Sequence, residues 1–252
     1  MPTDTQDTAL SESSKRSSAP LELYDRLGFR LLLDRSSWVD KSVIETGVWE
    51  APQIAYIFDL IGRVLKERED LIFVDLGSYW GLYSLMALRA GVKRIHAFDA
   101  DRHNFAQLQA QLFLNDAAFA VTSHNIAVSN ESKTLEFWDS RTHPDGNRAG
   151  VGVIYGKSPN HPSHEVQAVS IDDYLPMRNE VIFMKLDLEG HEAEALQGMV
   201  KTVQNNQVVM QIEIFDHNRE KIESVIHKLG LKKLFQITPD FYYTNFLPTA
   251  EG

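Results

Sequence analysis

The sequence predicts an α/β protein with a doubly wound, mostly parallel sheet that closes on an antiparallel hairpin. Three observations carry this. Residues 71–76 (LIFVDL), 181–188 (VIFMKLDL) and 208–215 (VVMQIEIF) are short, nearly continuous apolar runs, the mark of strands covered on both faces. Segments with apolar residues at helical spacing alternate with such runs, as parallel sheets with crossover helices require. Residues 231–247 are rich in β-formers and follow the last helix, which suits a terminal hairpin.

Taken in order, residues 1–20 are rich in Ser and Thr with almost no large apolar side chain, so they are expected to form a disordered tail. Residues 21–49 are interrupted by Asp34, Ser36, Ser37 and Asp40 and read as a lid-like segment before the main sheet. After Pro52, a residue suited to a first helical turn, Ile54, Ile57, Ile61 and Val64 line one helix face. The run 71–76 is the first core strand. A glycine-bearing turn and a helix through Tyr83, Leu85, Met86 and Leu88, closed by Gly91, come next. Residues 94–98 form a second strand, Phe105, Leu108 and Leu112 a second such helix, and 121–128 a third strand. Between Leu135 and Ser170 the pattern loosens. Turn-forming clusters at 143–147 and 158–162 mark an insertion over 138–165, expected to be mobile and to shape the acceptor pocket. Regular alternation resumes with 181–188, a helix carrying Ala193, Leu196, Val200 and Val203, and the strand 208–215. A helix with Ile222, Val225, Ile226 and Leu229 follows and stops at Gly230. Residues 21–252 thus read as a single domain.

Composition narrows the function. Asp and Glu outnumber Lys and Arg by 35 to 25, a net charge of −10 that opposes a nucleic-acid partner. Cysteine is absent, which excludes disulfides, cysteine-ligated zinc and a thiol nucleophile. No stretch approaches the ~20 apolar residues of a membrane span, and no secretory signal is visible, so the chain reads as cytoplasmic.

Four clusters carry chemistry. Asp75-Leu76-Gly77-Ser78-Tyr79-Trp80-Gly81 joins a strand to a helix where an open parallel sheet binds ligands. Gly77 permits a sharp turn, and Gly81 permits close packing of the next helix. The spacing lacks the middle glycine that admits a pyrophosphate in dinucleotide sites, so a cofactor without phosphates fits it better. A plain tight turn is the alternative. Asp99 ends the second strand, where a carboxylate can accept from two ribose hydroxyls, and Asp101 is expected to cap the helix that follows. In Lys185-Leu186-Asp187-Leu188-Glu189-Gly190-His191-Glu192, alternation sends Lys185 and Asp187 to one face near the strand's carboxyl end. Glu192 suits the positive end of the next helix. Glu213 lies inside a buried strand, with a substrate contact and a salt bridge to Lys185 as equal alternatives.

The runs FVDLGSYWGLYSLMALRAG, HAFDAD, HNIAVSN, VSIDDYL, FMKLDLEGHEAEALQGM and QIEI together resemble the FkbM family of methyltransferases. The resemblance implies a class I methyltransferase (Rossmann-like) fold, S-adenosyl-L-methionine as cofactor, and O-methylation of a hydroxyl on a sugar, glycan or polyketide-type small molecule. It further implies that Asp75, Gly77, Ser78 and Gly81 surround the cofactor's methionine part. Asp99 would hold its ribose, Asn125 and Ala127 would flank the adenine, and Glu50 would precede the first core helix. Asp187 and Glu189 would sit at the transfer site. Many relatives have Ala-Asn where this chain has Ser78-Tyr79, and Glu-Pro where it has Asp99-Ala100. Tyr79 and Ala100 are therefore cofactor-binding candidates by position, and Tyr79 and Trp80 are expected to narrow the entrance.

Methyl transfer to a hydroxyl benefits from a base, for which Asp187 ranks first, His191 second and Glu213 third. A metal at Asp187, Glu189 and His191 is disfavoured by their spacing, and no metal is expected. The rival readings are a catalytically inactive S-adenosylmethionine-binding module and a nucleotide-dependent oxidoreductase.

Overall fold

The structure is a computed structural model that describes residues 21–68, 70–143, 146–155 and 162–248. The expected tail, residues 1–20, and most of the turn cluster at 158–162 lie outside the described residues, as do Pro144 and Asp145.

The chain opens with an antiparallel hairpin, β1 (Glu22–Arg26) and β2 (Phe29–Leu33), and two helices, α1 (Trp38–Thr46) and α2 (Ala51–Leu65). The alternating core follows as β3 (Leu71–Leu76), α3 (Leu82–Arg89), β4 (Arg94–Phe98), α4 (Arg102–Leu114) and β5 (Val121–His124). Next come β6 (Ala127–Val128), β7 (Lys133–Trp138), β8 (Ser163–Val169) and a short helix, α5 (Ile171–Tyr174). The chain continues through β9 (Val181–Leu186), α6 (Glu192–Gln197), α7 (Val200–Asn205), β10 (Gln207–Glu213) and α8 (Arg219–Lys228). It closes with β11 (Lys232–Ile237) and β12 (Asp240–Thr244).

The main sheet has the order β11-β12-β10-β9-β3-β4-β5. Strands β10, β9, β3, β4 and β5 are parallel, and β12 is antiparallel between β10 and β11. This is the class I methyltransferase arrangement, with the predicted terminal hairpin supplying the reversed strand. All six residues of β3 and of β9 are buried, because each strand faces a separate apolar cluster on either side. Leu71, Phe73, Val181, Phe183 and Val209 enter one cluster, with α2, α3 and α4. Ile72, Val74, Leu76, Ile182, Met184 and Met210 enter the other, with α6, α7 and α8.

Three expectations are corrected in detail. The strand expected over 121–128 breaks at Asn125, and its second half, β6, leaves the main sheet to pair with β8. The loosened region contains regular structure, since β7 and β8 pair antiparallel and join β6 in a three-stranded sheet. The helix expected from Ala193 to Val203 divides into α6 and α7 at Gly198, which lies so close to the carbonyl of Ser129 that no side chain fits. Among the described residues, no helix is long and apolar enough to cross a membrane.

Candidate functional site

Strand alternation decides which side chains meet. Asp75, Lys185, Gln211 and Tyr242 occupy paired positions across β3, β9, β10 and β12, so they share one face of the sheet. One step further along, Gly77, Asp187, Glu213 and Asp240 continue that face at its carboxyl edge. A cleft of about 310 Å³ opens there, and Glu50, Asp75, Gly77, Ser78, Tyr79, Asp99, Ala100, Ala127, Asp187, Glu189, His191 and Glu213 all line it.

The turn after β3 is tight for visible reasons. Gly77 has φ +80°, and a Cβ there would overlap the carbonyl oxygen of Asp187 and lie 2.9 Å from its carbon. The N–H groups of Gly77 and Ser78 both donate to the Phe98 carbonyl (3.0 and 2.9 Å), which ties the turn to β4. Gly81, at φ +89°, leaves no room for a side chain against Leu108 of α4, so its close approach is to that helix. Tyr79 adopts φ +50°, a left-handed conformation, and its N–H donates to Asp99 Oδ2 at 2.8 Å. The other Asp99 oxygen accepts from Asp101 N–H at 2.9 Å. Burial and the neighbouring Asp101 raise the Asp99 carboxyl well above the usual range. Asp101 caps α4 as expected, accepting from the N–H groups of His103 and Asn104.

Among the buried cleft oxygens with no hydrogen-bond partner among the described residues, which include Asn147 Oδ1 and Glu213 Oε2, two stand at the turn after β3, Asp75 Oδ1 and Ser78 Oγ. The other Asp75 oxygen accepts from Ser84 Oγ at 2.7 Å, and burial raises its pKa. Both orphaned atoms suit a polar ligand that enters the cleft. Asn125, by contrast, does not line it. Its amide donates to the carbonyls of Asp99 (2.9 Å) and Ala100 (3.2 Å), so it fixes the loop that does, and Ile126 takes the lining position.

The acid-rich end is built around Lys185, the cation of this sheet face. Its ammonium donates to Asp187 Oδ2 at 2.6 Å and lies 4.8 Å from the Tyr83 ring centre. Burial opposes its charge, but Asp187, Glu50 and Asp75 outweigh that and raise its pKa. The ion pair of Lys185 is therefore with Asp187, and the alternative pairing with Glu213 is not the one formed. Glu50, in left-handed conformation before α2, accepts from the Tyr83 hydroxyl at 2.6 Å. Burial raises its carboxyl. Glu189 is pushed to about 8 by burial and by Asp187 and Glu192. Glu213 is pushed to about 10 by burial and by Asp187 and Glu189. One carboxylate oxygen each from Asp187, Glu189 and Glu213 lies within 4.8 Å of the others, a spacing that could hold a cation.

His191 is not in that group. It is 3% exposed, with Nε2 2.9 Å from Ser129 Oγ and Nδ1 against the Tyr155 hydroxyl. Burial lowers its pKa to about 4. Both ring nitrogens are thus engaged, which disfavours the role of base. Glu192 serves its helix as expected, with Oε1 accepting from the N–H groups of Leu188 (2.9 Å) and Gly190 (3.1 Å).

Sequence reasoning missed two buried charges. Asp40, taken as an interruption, is fully buried. It accepts from the Tyr79 hydroxyl and the Trp80 indole N–H, both at 2.9 Å. Trp80 is accordingly held in the interior, and both it and Tyr79 line the cleft. Arg148, placed in a mobile insertion, is 5% exposed and pairs with Asp40. The signal was Gln107 and Gln111 on α4, polar residues on the same stripe as Leu108 and Leu112.

The profile described as the methyltransferase FkbM domain matches residues 69–237, more than half of the chain. No curated protein matches the sequence. Among solved structures, similarity extends to the FkbM methyltransferase of Methylobacillus flagellatus KT, at 16% identity and TM-score 0.48. The alignment covers 70% of this chain and 44% of that protein, so this chain spans less than half of its length. The ribosomal protein L11 methylase of Lactobacillus delbrueckii subsp. bulgaricus has 10% identity and TM-score 0.46, with 78% and 79% covered. TYW2 of P. horikoshii, solved with MeSAdo, has 12% identity and TM-score 0.43, with 90% and 70% covered. On the profile match and the sheet order together, the chain belongs to the FkbM methyltransferase family.

Proposed function

We propose that the protein is an S-adenosyl-L-methionine-dependent methyltransferase that modifies a hydroxyl of a sugar, glycan or polyketide-type small molecule. The observation that carries this is the pair of carboxylates, Asp75 and Asp99, ending adjacent parallel strands at one cleft, with a buried Asp75 oxygen left for a ligand. Bound there, the cofactor supplies a methyl group on a sulfonium, whose leaving group needs no protonation.

Asp75, Gly77, Ser78 and Tyr79 would receive the amino-acid part, with Asp99 on the ribose and Ala100 and Ala127 beside the base. The acceptor would meet the acid-rich end, where Trp49 beside Glu50 and Phe215 after Glu213 offer flat apolar faces in the cleft lining. Glu189 and Glu213, held protonated near neutrality, can donate hydrogen bonds to hydroxyl oxygens. Asp187 is left as the carboxylate that takes the acceptor's proton, with Lys185 fixing its position. Holding acceptor and methyl in line supplies much of the remaining acceleration.

Titration calorimetry with S-adenosylhomocysteine tests the reading. Binding at one site per chain is expected. Binding of NAD without binding of S-adenosylhomocysteine would point to the oxidoreductase instead. Cofactor binding with no turnover across sugar and polyketide acceptors would leave an inactive binding module.

A further inference from the structure

Arg148 sits outside every run that carries the family resemblance, yet it is among the most deeply buried charges of the molecule. Its guanidinium lies between two acids from the N-terminal segment, 3.5 Å from Asp34 and 3.5 Å from Asp40. It donates to Gln107 Oε1 at 2.8 Å, and its own carbonyl accepts from Asn104 at 2.9 Å. The guanidinium carbon stands 5.5 Å from the centre of the Tyr79 ring. Asp40 in turn takes the hydroxyl of that tyrosine at 2.9 Å. Two carboxylates against one arginine make a network that is costly to bury and that loses its compensation if the arginine goes.

The neighbours of Arg148 explain the expense. Asn147, Ala149 and Val151 line the cleft, and Val151 packs in one apolar cluster with Ala127 and Ala100, beside which the nucleoside would lie. Just before them, Gly146 lies so close to the Ser36 carbonyl that a Cβ would stand 2.7 Å away. The segment is therefore pressed against the N-terminal hairpin region at one point and pinned by Arg148 at the next. On its other side the pin reaches Tyr79, whose left-handed backbone directs its N–H to Asp99 at 2.8 Å.

We infer that Arg148 is a positioning residue for the nucleoside half of the cleft, holding the 147–153 wall in place and, through Asp40 and Tyr79, orienting the Asp99 carboxylate. The inference rests on the cofactor reading above. It makes the near part of the insertion a piece of the cofactor site, whereas the sequence placed the whole insertion over the acceptor.

Arg148→Gln tests it by calorimetry with two probes, S-adenosylhomocysteine and 5′-deoxy-5′-methylthioadenosine, which lacks the amino-acid part. Wild type must bind the first probe, and if it does not, the cofactor reading itself fails. Given wild-type binding, folded Arg148→Gln should bind both probes at least tenfold more weakly and by the same factor, because the damage lies on the nucleoside side. A lowered melting temperature with affinities within threefold of wild type would reduce Arg148 to a structural pin and overturn the inference. If Arg148→Gln does not fold, Asp34→Asn decides, because it removes one of the two ion pairs and leaves Asp40 compensated. At least threefold weaker binding of both probes supports the inference, and unchanged binding overturns it.

Discussion

Gly77→Ala isolates how tightly the end of β3 is drawn against the end of β9. The native residue has φ +80°, which costs an alanine roughly 1–2 kcal/mol. The added Cβ would lie 2.9 Å from the carbonyl carbon of Asp187, and ordinary carbon contacts begin near ~3.5 Å. The strand ends must therefore part by at least about 0.6 Å, and more to clear the carbonyl oxygen. The N–H of Asp187 donates to Leu76 at 3.1 Å, and such a shift takes that bond beyond hydrogen-bonding range. Losing a buried bond costs about 1–3 kcal/mol, so the total comes to about 2–5 kcal/mol. That is a large share of the ~5–15 kcal/mol that holds a domain together. Urea denaturation followed by far-UV circular dichroism measures it, with the midpoint falling and the slope unchanged. Destabilisation below about 1 kcal/mol would mean that the turn relaxes freely, and the argument from its close approach would fail.

Other outcomes follow from the carboxylates. Asp187→Asn should leave S-adenosylhomocysteine affinity nearly unchanged while turnover on a proven acceptor falls by about 10²-fold or more, and wild-type turnover would remove Asp187 from the base role. Asp99→Asn replaces an oxygen that accepts from a backbone N–H with a second donor. Cofactor-analogue binding should weaken by about 1.5–3 kcal/mol, measured by calorimetry, and equal affinity would leave Asp99 a purely local brace. Glu213 and Glu189 have folded-state pKa values raised to about 10 and about 8, so the stability they confer is complete below their ordinary range and declines as pH rises through those values. Urea midpoints between pH 6 and pH 10 should fall less steeply for Glu213→Gln than for wild type, and parallel slopes would refute the assignment.

The legible parts of the sequence were those where one physical rule acted alone. β3, β9 and β10 read correctly because a strand covered on both faces has no polar side to show, and the acids at their ends stood out against that background. Asp75, Asp99, Asp187 and Glu213 reach one cleft for the same reason. Strands β7 and β8 escaped notice because Thr, Ser, Glu and Gln hold their exposed positions and only Phe137, Val166 and Ala168 are buried, too few apolar residues to stand out as strands. Asp40 and Arg148 escaped for a different reason. A buried charge looks like a surface charge until its partner is known, and these partners are 108 residues apart. His191 stood out for its chemistry, but only packing reveals that both its nitrogens are committed.

The reversed strand β12 has a consequence for how the molecule is made. Running opposite to its neighbours, it begins where they end, so Asp240 arrives under the cleft. There it accepts from Gln211 at 2.7 Å and from Gln53 at 3.1 Å, across a sequence separation of 187. A chain emerging from the ribosome has β3, β4, β9 and β10 in hand well before that carboxylate has been synthesised. Until it arrives, the amides of Gln53 and Gln211 lack this acceptor. The polar bracing that joins α2, β10 and β12 behind the cleft is thus closed by the last strand of the sheet to be synthesised.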